Sequence, residues 1–192
     1  TVPVTHGEEG ARVVEVLSAA ERSIKDKSFV NCSQTVTHSY NKSSPYFIHE
    51  TAIIEDEVQI GNETKIWQFS HLRNNTKIGQ KCVIGQNVSI GPNVNIGDQC
   101  KIQNNVSLYE GVTLEAHVFV GPSVTFTNIK HPRAFIDRKE EFKPTLIKKG
   151  ASLGANATIV CGVTLHPYSF VAAGSVVTRD VEAFRLVAGN PA

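Results

Sequence analysis

The sequence predicts an all-β protein in which short parallel strands wind into a solenoid. Large apolar residues recur at every sixth position, and this period fits neither the 3.6 residues of a helical turn nor the alternation of a hairpin sheet. Small or β-branched residues recur two positions before each of them. Three such units close a triangular coil of about 18 residues around the large side chains. The column of large residues comprises Ile48, Ile54, Ile60, Ile66, Leu72, Ile78, Ile84, Ile90, Ile96, Ile102, Leu108, Leu114, Val120 and Phe126, then Ile147, Leu153, Ile159, Leu165, Val171 and Val177.

The solenoid domain is expected over residues 45–180, in about six to seven coils. Glycine often follows the large residue directly, where we expect the chain to bend tightly. These glycines are Gly61, Gly79, Gly85, Gly91, Gly97, Gly121 and Gly154.

The two ends of the chain depart from the repeat. Apolar residues recur at helical spacing within residues 8–25, and polar residues dominate 26–44, so residues 1–44 predict an N-terminal helix and a linker. The helix is either a cap over the first coil or the end of a preceding domain. Because the chain has no Met and stops without an ending signal, we expect a fragment of a longer polypeptide, with 181–192 as a truncated C-terminal segment.

One long interruption divides the repeat. Residues 127–146 are rich in charge and leave the solenoid just after Phe126. A long loop on a rigid scaffold is where specificity residues tend to lie, although a merely decorated turn is the alternative.

Composition narrows the class of protein. The chain is 41% hydrophobic and 19% charged with a net charge of +1, which excludes wholesale disorder and gives no reason to expect nucleic acid or an acidic membrane as partner. The four cysteines fit neither a disulfide scaffold nor a metal site, so we expect no metal and a reducing, cytoplasmic setting. Cys82 and Cys100 are expected to stack in the interior as a reduced pair.

Residues 18 apart lie on neighbouring coils, about 4.8 Å from each other, so the sequence maps the surface. One group expected from this spacing is a two-by-two patch of amides. It comprises Gln86, Asn87, Asn104 and Asn105.

The same spacing predicts a second group at the start of the loop. Glu110 is expected one coil below Asn128, and Arg73 is expected in one column with Tyr109 and Thr127.

Several longer motifs carry a family resemblance. They are WQFSHL, KIQNNVSLYEGVTLE, VFVGPSVTFTN, PR, KKGASLGANATIVCGVTL and AGNPA. Over residues 48–192 the chain resembles the hexapeptide-repeat, left-handed β-helix acetyltransferases. Within them it is most similar to the acetyl-CoA-dependent N-acetyltransferases that act on UDP-linked 3-amino-2,3-dideoxy uronic acids in O-antigen and lipopolysaccharide biosynthesis.

The resemblance implies a left-handed coil and a homotrimer with three active sites between subunits. Acetyl-CoA would be the co-substrate, held by the C-terminal coils, and the loop would wall the site. Residues 7–28 weakly resemble the last helix of sugar-nucleotide dehydrogenases, which suggests a fusion to such an enzyme.

The resemblance places Asn128 in the active site, without an obvious strong base. An amide cannot accept a proton at neutral pH, but its oxygen can orient an amine N–H. We therefore expect Asn128 to position the amine while the proton leaves late, to water or to the departing CoA sulfur. His71 is the alternative base.

Binding roles are expected for two further sets of residues. Arg133 is the candidate for a pyrophosphate or a uronate carboxylate, because its fork matches planar oxyanions. His131, in the same loop, is a candidate for substrate contact. The remaining candidates for the nucleotide sugar are Gln86, Asn87, Lys101, Asn104 and Asn105, and those for CoA are Lys148, Lys149, Gly154, Ala172 and Ala173.

Three alternatives stay open. The nearest is an N-acetyltransferase for a dTDP- or UDP-linked 3- or 4-amino-6-deoxy sugar, which would need an apolar contact at C6 where a uronate needs a cation. A non-catalytic β-helix scaffold would not need the 127–146 loop. A γ-class carbonic anhydrase shares the fold but needs three converging histidines, and His71 and His117 lack the required spacing.

Overall fold

The structure is a computed structural model that describes residues 44–192. These residues belong to one compact unit, Lys42–Ala192. The predicted helix within residues 8–25 and most of the linker lie outside the described residues. No helix in the described part of the chain is long and apolar enough to cross a membrane.

Short parallel strands form three sheets that make the sides of a triangular solenoid. Sheet A contains β1 (Phe47–Ile48), β4 (Lys65–Ile66), β7 (Val83–Ile84), β10 (Lys101–Ile102), β13 (Phe119–Val120), β16 (Ser152–Leu153), β19 (Phe170–Val171) and β21 (Leu186–Val187). Sheet B contains β2 (Ile53–Ile54), β5 (His71–Leu72), β8 (Ser89–Ile90), β11 (Ser107–Leu108), β14 (Thr125–Phe126), β17 (Thr158–Ile159) and β20 (Val176–Val177). Sheet C contains β3 (Gln59–Ile60), β6 (Lys77–Ile78), β9 (Asn95–Ile96), β12 (Val112–Leu114), β15 (Thr145–Ile147) and β18 (Thr164–Leu165).

The register confirms the predicted β-helix. Strands pair with a spacing of 18 residues, as in Lys65 with Val83, and the spacing widens to 33 across the loop, as in Phe119 with Ser152. The solenoid is slightly longer than the six to seven coils expected. Sheet A has eight strands because β21 continues it beyond residue 180, the expected end of the domain.

The interior is the predicted column of large residues. From Ile66 to Phe126 and from Ile147 to Val177 every member is buried, while the first three, Ile48, Ile54 and Ile60, are partly buried in the first described coil. Burying each aliphatic side chain contributes about 1.5–3 kcal/mol, so this column is the main source of stability.

Several buried hydroxyls lie in the column of small residues, two positions before the large ones. They donate hydrogen bonds to carbonyls of the next coil. Thr64 Oγ1 donates to the carbonyl of Gly79 at 2.8 Å, and Ser70 Oγ donates to that of Gly85 at 2.8 Å. Polar side chains can therefore enter this core, because the coil above offers a carbonyl at a constant offset. Ser169 Oγ, in the same column, is buried without a hydrogen-bond partner among the described residues.

The glycines begin the tight turns, as expected, but the turns do not depend on their backbone freedom. The left-handed backbone lies two residues after them and is taken mostly by other residues, such as Asn87 at φ 55° and Asn105 at φ 61°. Gly97 instead permits close approach of the next coil, because an added Cβ would lie 2.6 Å from the backbone nitrogen of Ala116. The glycines that follow the large residues thus admit a neighbouring backbone.

The stacked thiols lie in the core as predicted. Cys82, Cys100 and Cys161 are buried and unbridged. The Sγ atoms of Cys82 and Cys100 donate to the carbonyls of Gly97 and Glu115. Contact with the Cys82 thiol and burial raise the pKa of Cys100, so this thiol stays protonated and unreactive.

The loop leaves the solenoid after β14 and returns at β15, close to the predicted bounds of 127–146. It contains a single 3-10 turn, Lys139–Glu141, braced by two hydrogen bonds of 2.8 Å from Arg138 to Glu141. Its tip is exposed, and Phe135 is 84% accessible.

Candidate functional site

A cavity of about 270 Å³ lies where the loop meets the corner between sheets B and C, and we call it the loop cavity. Strands β8 and β11 supply one side, and the first and last parts of the loop supply the other. Its lining residues are Arg73, Ser89, Gly91, Pro92, Ser107, Leu108, Tyr109, Glu110, Asn128 and Phe142.

Asn128 reaches the cavity from a fixed backbone. Its carbonyl accepts a hydrogen bond of 2.9 Å from the Lys143 N–H, which ties the two ends of the loop together. Just before it, Thr127 Oγ1 accepts from the Cys161 N–H at 2.9 Å. The 18-residue spacing correctly placed Glu110 beside Asn128, and Arg73 lines the same cavity together with Tyr109.

His71 lies next to this cavity without lining it. Its strand, β5, pairs in register with β8, so His71 is one coil below Ser89 on the outer face of sheet B. The His71 Nε2 atom is 2.8 Å from Glu55 Oε1. Arg73 Nε is 3.6 Å from the same oxygen, so one carboxylate holds both side chains.

The pKa of Glu55 is lowered by its surroundings. The largest cause is the hydrogen bond of 3.0 Å that the Asn74 N–H donates to Oε2, followed by the contacts with His71 and Arg73. The carboxylate is therefore ionised at neutral pH and at moderately acidic pH.

Glu55→Gln should reduce stability in a pH-dependent way. A carboxylate whose pKa is lower in the folded state stabilises the fold above its ordinary pKa, and this contribution disappears as the pH falls through the lowered value. The difference in melting temperature between wild type and Glu55→Gln should therefore shrink from about pH 7 to about pH 3. A difference that stays constant with pH would mean that the charge of Glu55 contributes nothing.

The amide patch forms as expected, at the corner between sheets A and B. Asn87 Nδ2 donates to Asn105 Oδ1 at 3.0 Å, and the Gln86 N–H donates to Asn104 Oδ1 at 3.0 Å. Asp98 accepts from the Gln80 N–H in the same way at 2.9 Å, on another corner. Part of the patch therefore joins one turn to the next.

The residues expected to bind CoA lie on two corners. Gly154, Ala172 and Ala173 continue the corner of the amide patch, within three coils or about 14 Å of Asn104. Lys148 and Lys149 lie instead between sheets C and A, where the Lys149 N–H donates to Glu115 Oε2 at 2.9 Å.

Three further candidates lie apart from the cavity. Lys101 faces outward on sheet A, between Val83 and Phe119. His131 and Arg133 are exposed on the loop, and Arg133 donates only to the carbonyl of Pro132, at 3.0 Å, among the described residues.

Several residues of the site were not identified from the sequence, among them Ser89 and Ser107 on the outer face of sheet B. Phe142 lines the cavity from the returning end of the loop, which follows no period and gives no signal. Glu55, the partner of His71, lies 16 residues before it and close to the coil repeat, so a search for acids near that spacing would have found it. Within residues 44–192 no group of three metal-binding side chains converges.

Known protein families match both halves of the solenoid. Residues 144–179 match the hexapeptide repeat of succinyl-transferase, and residues 68–131 match the GMPPB C-terminal domain.

Individual proteins extend this match. The chain is 44% identical, over 152 residues, to the dTDP-3-amino-3,6-dideoxy-alpha-D-galactopyranose 3-N-acetyltransferase of Aneurinibacillus thermoaerophilus, covering 79% of this chain and 78% of that relative. The acetyltransferase domain of PglB from Neisseria gonorrhoeae FA1090, solved with acetyl coenzyme A, shares the fold at a TM-score of 0.53 and 17% identity, over 77% of this chain and 56% of that one. A hexapeptide-repeat-containing acetyltransferase of Vibrio cholerae O1 biovar eltor, also complexed with acetyl coenzyme A, has a TM-score of 0.44 at 26% identity, over 77% and 67% of the two chains.

The relative from Aneurinibacillus thermoaerophilus aligns with most of the solenoid and most of its own length. The repeat, the three parallel sheets and this extended identity agree with one another. The chain therefore belongs to the hexapeptide-repeat acetyltransferase family.

Proposed function

We propose that the protein transfers the acetyl group of acetyl-CoA to the C3 amine of a nucleotide-linked 3-amino-3,6-dideoxyhexose. The observation that carries this proposal is the lining of the loop cavity. Asn128 and two serines line it together with the apolar residues Pro92 and Phe142, and Arg133 lies outside. An apolar wall suits a 6-deoxy carbon, and the 44% identical relative is named for a sugar of this kind.

The UDP-linked uronate expected from the sequence is the second candidate. Arg73 favours it, because this cation lines the same cavity. Arg73 is also held by Glu55, at 3.6 Å, which reduces its attraction for a second carboxylate.

Acyl transfer to an amine requires alignment of the reactants and stabilisation of the developing charges. The Asn128 amide oxygen accepts an N–H of the amine and aims the nitrogen lone pair at the thioester carbon. Ser89 and Ser107 supply hydroxyls that both donate and accept, which suits sugar hydroxyls. The N–C bond forms, the C–S bond breaks, and CoA leaves as its thiol.

We also propose the homotrimer, with sites between subunits. Sheet A supports it by three exposed apolar side chains around Ser152 on its outer face, of which Phe119 is 38% accessible, Phe170 47% and Leu186 66%. Exposed apolar side chains grouped in this way are typical of a protein interface. In the trimer, acetyl-CoA bound at the corner between sheets A and B of one subunit would react in the loop cavity of the neighbouring subunit. Sedimentation of the full chain tests the trimer.

The three buried, unbridged thiols among the described residues support a reducing, cytoplasmic compartment for this reaction.

Thiol release from acetyl-CoA tests the substrate. We expect rapid release with dTDP-3-amino-3,6-dideoxygalactose and slow release with the UDP-linked 3-amino uronate. The reverse order would replace the 6-deoxy sugar with the uronate, and release with neither would contradict the proposed function.

Arg133→Ala should leave kcat/KM for the 6-deoxy substrate within about threefold of wild type, since an exposed residue outside the cavity contributes little. Steady-state kinetics with both sugars measures this, and Arg179→Ala, another exposed arginine, is the matched control. A tenfold rise in KM for the uronate alone would show that Arg133 binds the uronate carboxylate.

A further inference from the structure

The loop cavity contains a carboxylate that forms no ion pair within the part of the chain that the structure describes. Glu110 lines it together with Asn128. Across residues 44–192, no lysine, arginine or histidine forms an ion pair with Glu110. The cation in the same cavity, Arg73, is instead paired with Glu55.

The carboxylate is oriented and not left to rotate freely. Asn93 Nδ2 donates a hydrogen bond of 2.8 Å to Glu110 Oε1. The Asn93 side chain lies one coil below, at the same corner, so the two turns hold the carboxylate between them. Oε2 has no hydrogen-bond partner among the described residues and remains available to a ligand.

A negative charge beside a reacting amine stabilises the positive charge that develops on the nitrogen in the transition state. The amine is neutral when it attacks, and its nitrogen becomes cationic in the tetrahedral adduct. A carboxylate next to that nitrogen therefore stabilises the adduct more than it stabilises the bound substrate, which lowers the barrier to reaction. Asn128 cannot take this role, because an amide does not accept a proton at neutral pH.

We propose that Glu110 is the catalytic proton acceptor for the substrate amine and that Asn93 is its positioning residue. The inference rests on the proposed function and names a group for its proton-transfer step. The neutral amine attacks the thioester carbon, an N–C bond forms, and the carbonyl electron pair moves to oxygen. Glu110 takes one proton from the cationic nitrogen. The oxyanion then collapses, the C–S bond breaks, and the CoA thiolate receives that proton, which restores the carboxylate.

Glu110→Gln tests the proposal, because it keeps the shape of the side chain and removes its charge and basicity. We expect kcat to fall by about 100-fold with KM for the nucleotide sugar nearly unchanged. Asn93→Ala should lower kcat by about fivefold to tenfold, since the carboxylate remains but loses its orientation. Glu63→Gln is the matched control, because Glu63 is exposed and its partner is Lys81, at 3.7 Å. It should retain wild-type activity.

Rescue by formate distinguishes a catalytic carboxylate from a structural one, because formate would not restore activity if Glu110 only supported the fold. Glu110→Ala leaves room in the cavity for a small carboxylate, and added formate should restore part of the lost kcat in a saturable way. Melting curves establish that each variant is folded.

The proposal is overturned if folded Glu110→Gln keeps kcat within threefold of wild type, or if formate does not raise the activity of Glu110→Ala. Failure of the proposed function looks different, because the wild type itself would then release no thiol with any amino sugar.

Discussion

Asn128→Ala should reduce kcat by about three orders of magnitude, or about 4 kcal/mol in the activation free energy. The variant loses the amide oxygen that aims the amine, while the Asn128 carbonyl still accepts from the Lys143 N–H. The ends of the loop therefore stay joined, and the melting temperature should change little. Thiol release at saturating substrates measures the effect.

A control separates a lost functional group from a general effect of losing an asparagine. Asn62 is exposed at a turn remote from the loop, and Asn62→Ala should keep wild-type kcat. If Asn128→Ala retains kcat within threefold, Asn128 only lines the cavity and has no part in the reaction.

Gly97→Ala should lower the free energy of unfolding by about 3 kcal/mol. The new Cβ would lie 2.6 Å from Ala116 N and 2.7 Å from the carbonyl carbon of Glu115, and both atoms belong to the backbone of the next coil. Neither can move without displacing a hydrogen-bonded strand. Equilibrium unfolding in urea measures the loss.

Gly174→Ala separates this crowding from backbone strain. Gly174 has φ +70°, and its added Cβ meets no atom within 4 Å. The substitution should therefore cost only about 1 kcal/mol, the price of a left-handed alanine. A larger loss at Gly174 than at Gly97 would contradict the account of close approach.

The repeat made the interior and much of the surface predictable. Each coil packs only on its neighbours, so an offset of 18 residues identifies contacts that are distant in sequence. This offset correctly placed Ile66 above Ile48, Asn105 above Asn87, and Glu110 beside Asn128. The conformation of the turns was not predicted, because asparagine favours φ near +60° by type but residues such as Phe69, Lys81 and Tyr168, which adopt it as well, do not.

The path of the loop could not be predicted from the 18-residue offset, because the loop sequence does not repeat. Nothing in the sequence indicated that Phe142 would close the cavity or that Arg133 would project away from it. The sharing of Glu55 between His71 and Arg73 depends on side-chain rotamers, which a residue offset does not specify. Which corner would face a neighbouring subunit in the proposed trimer depends on a second copy of the chain.

Transfer of the acetyl group to the C3 amine is tested most directly by following a labelled acetyl group. The full chain is incubated with acetyl-CoA labelled in the acetyl group and dTDP-3-amino-3,6-dideoxygalactose, and the sugar product is examined by mass spectrometry and NMR. We expect the label to appear as an amide on the C3 nitrogen, with one CoA thiol released per acetyl transferred. Label that stays on CoA with this sugar and with the UDP-linked uronate, or label on a sugar hydroxyl, would contradict this expectation.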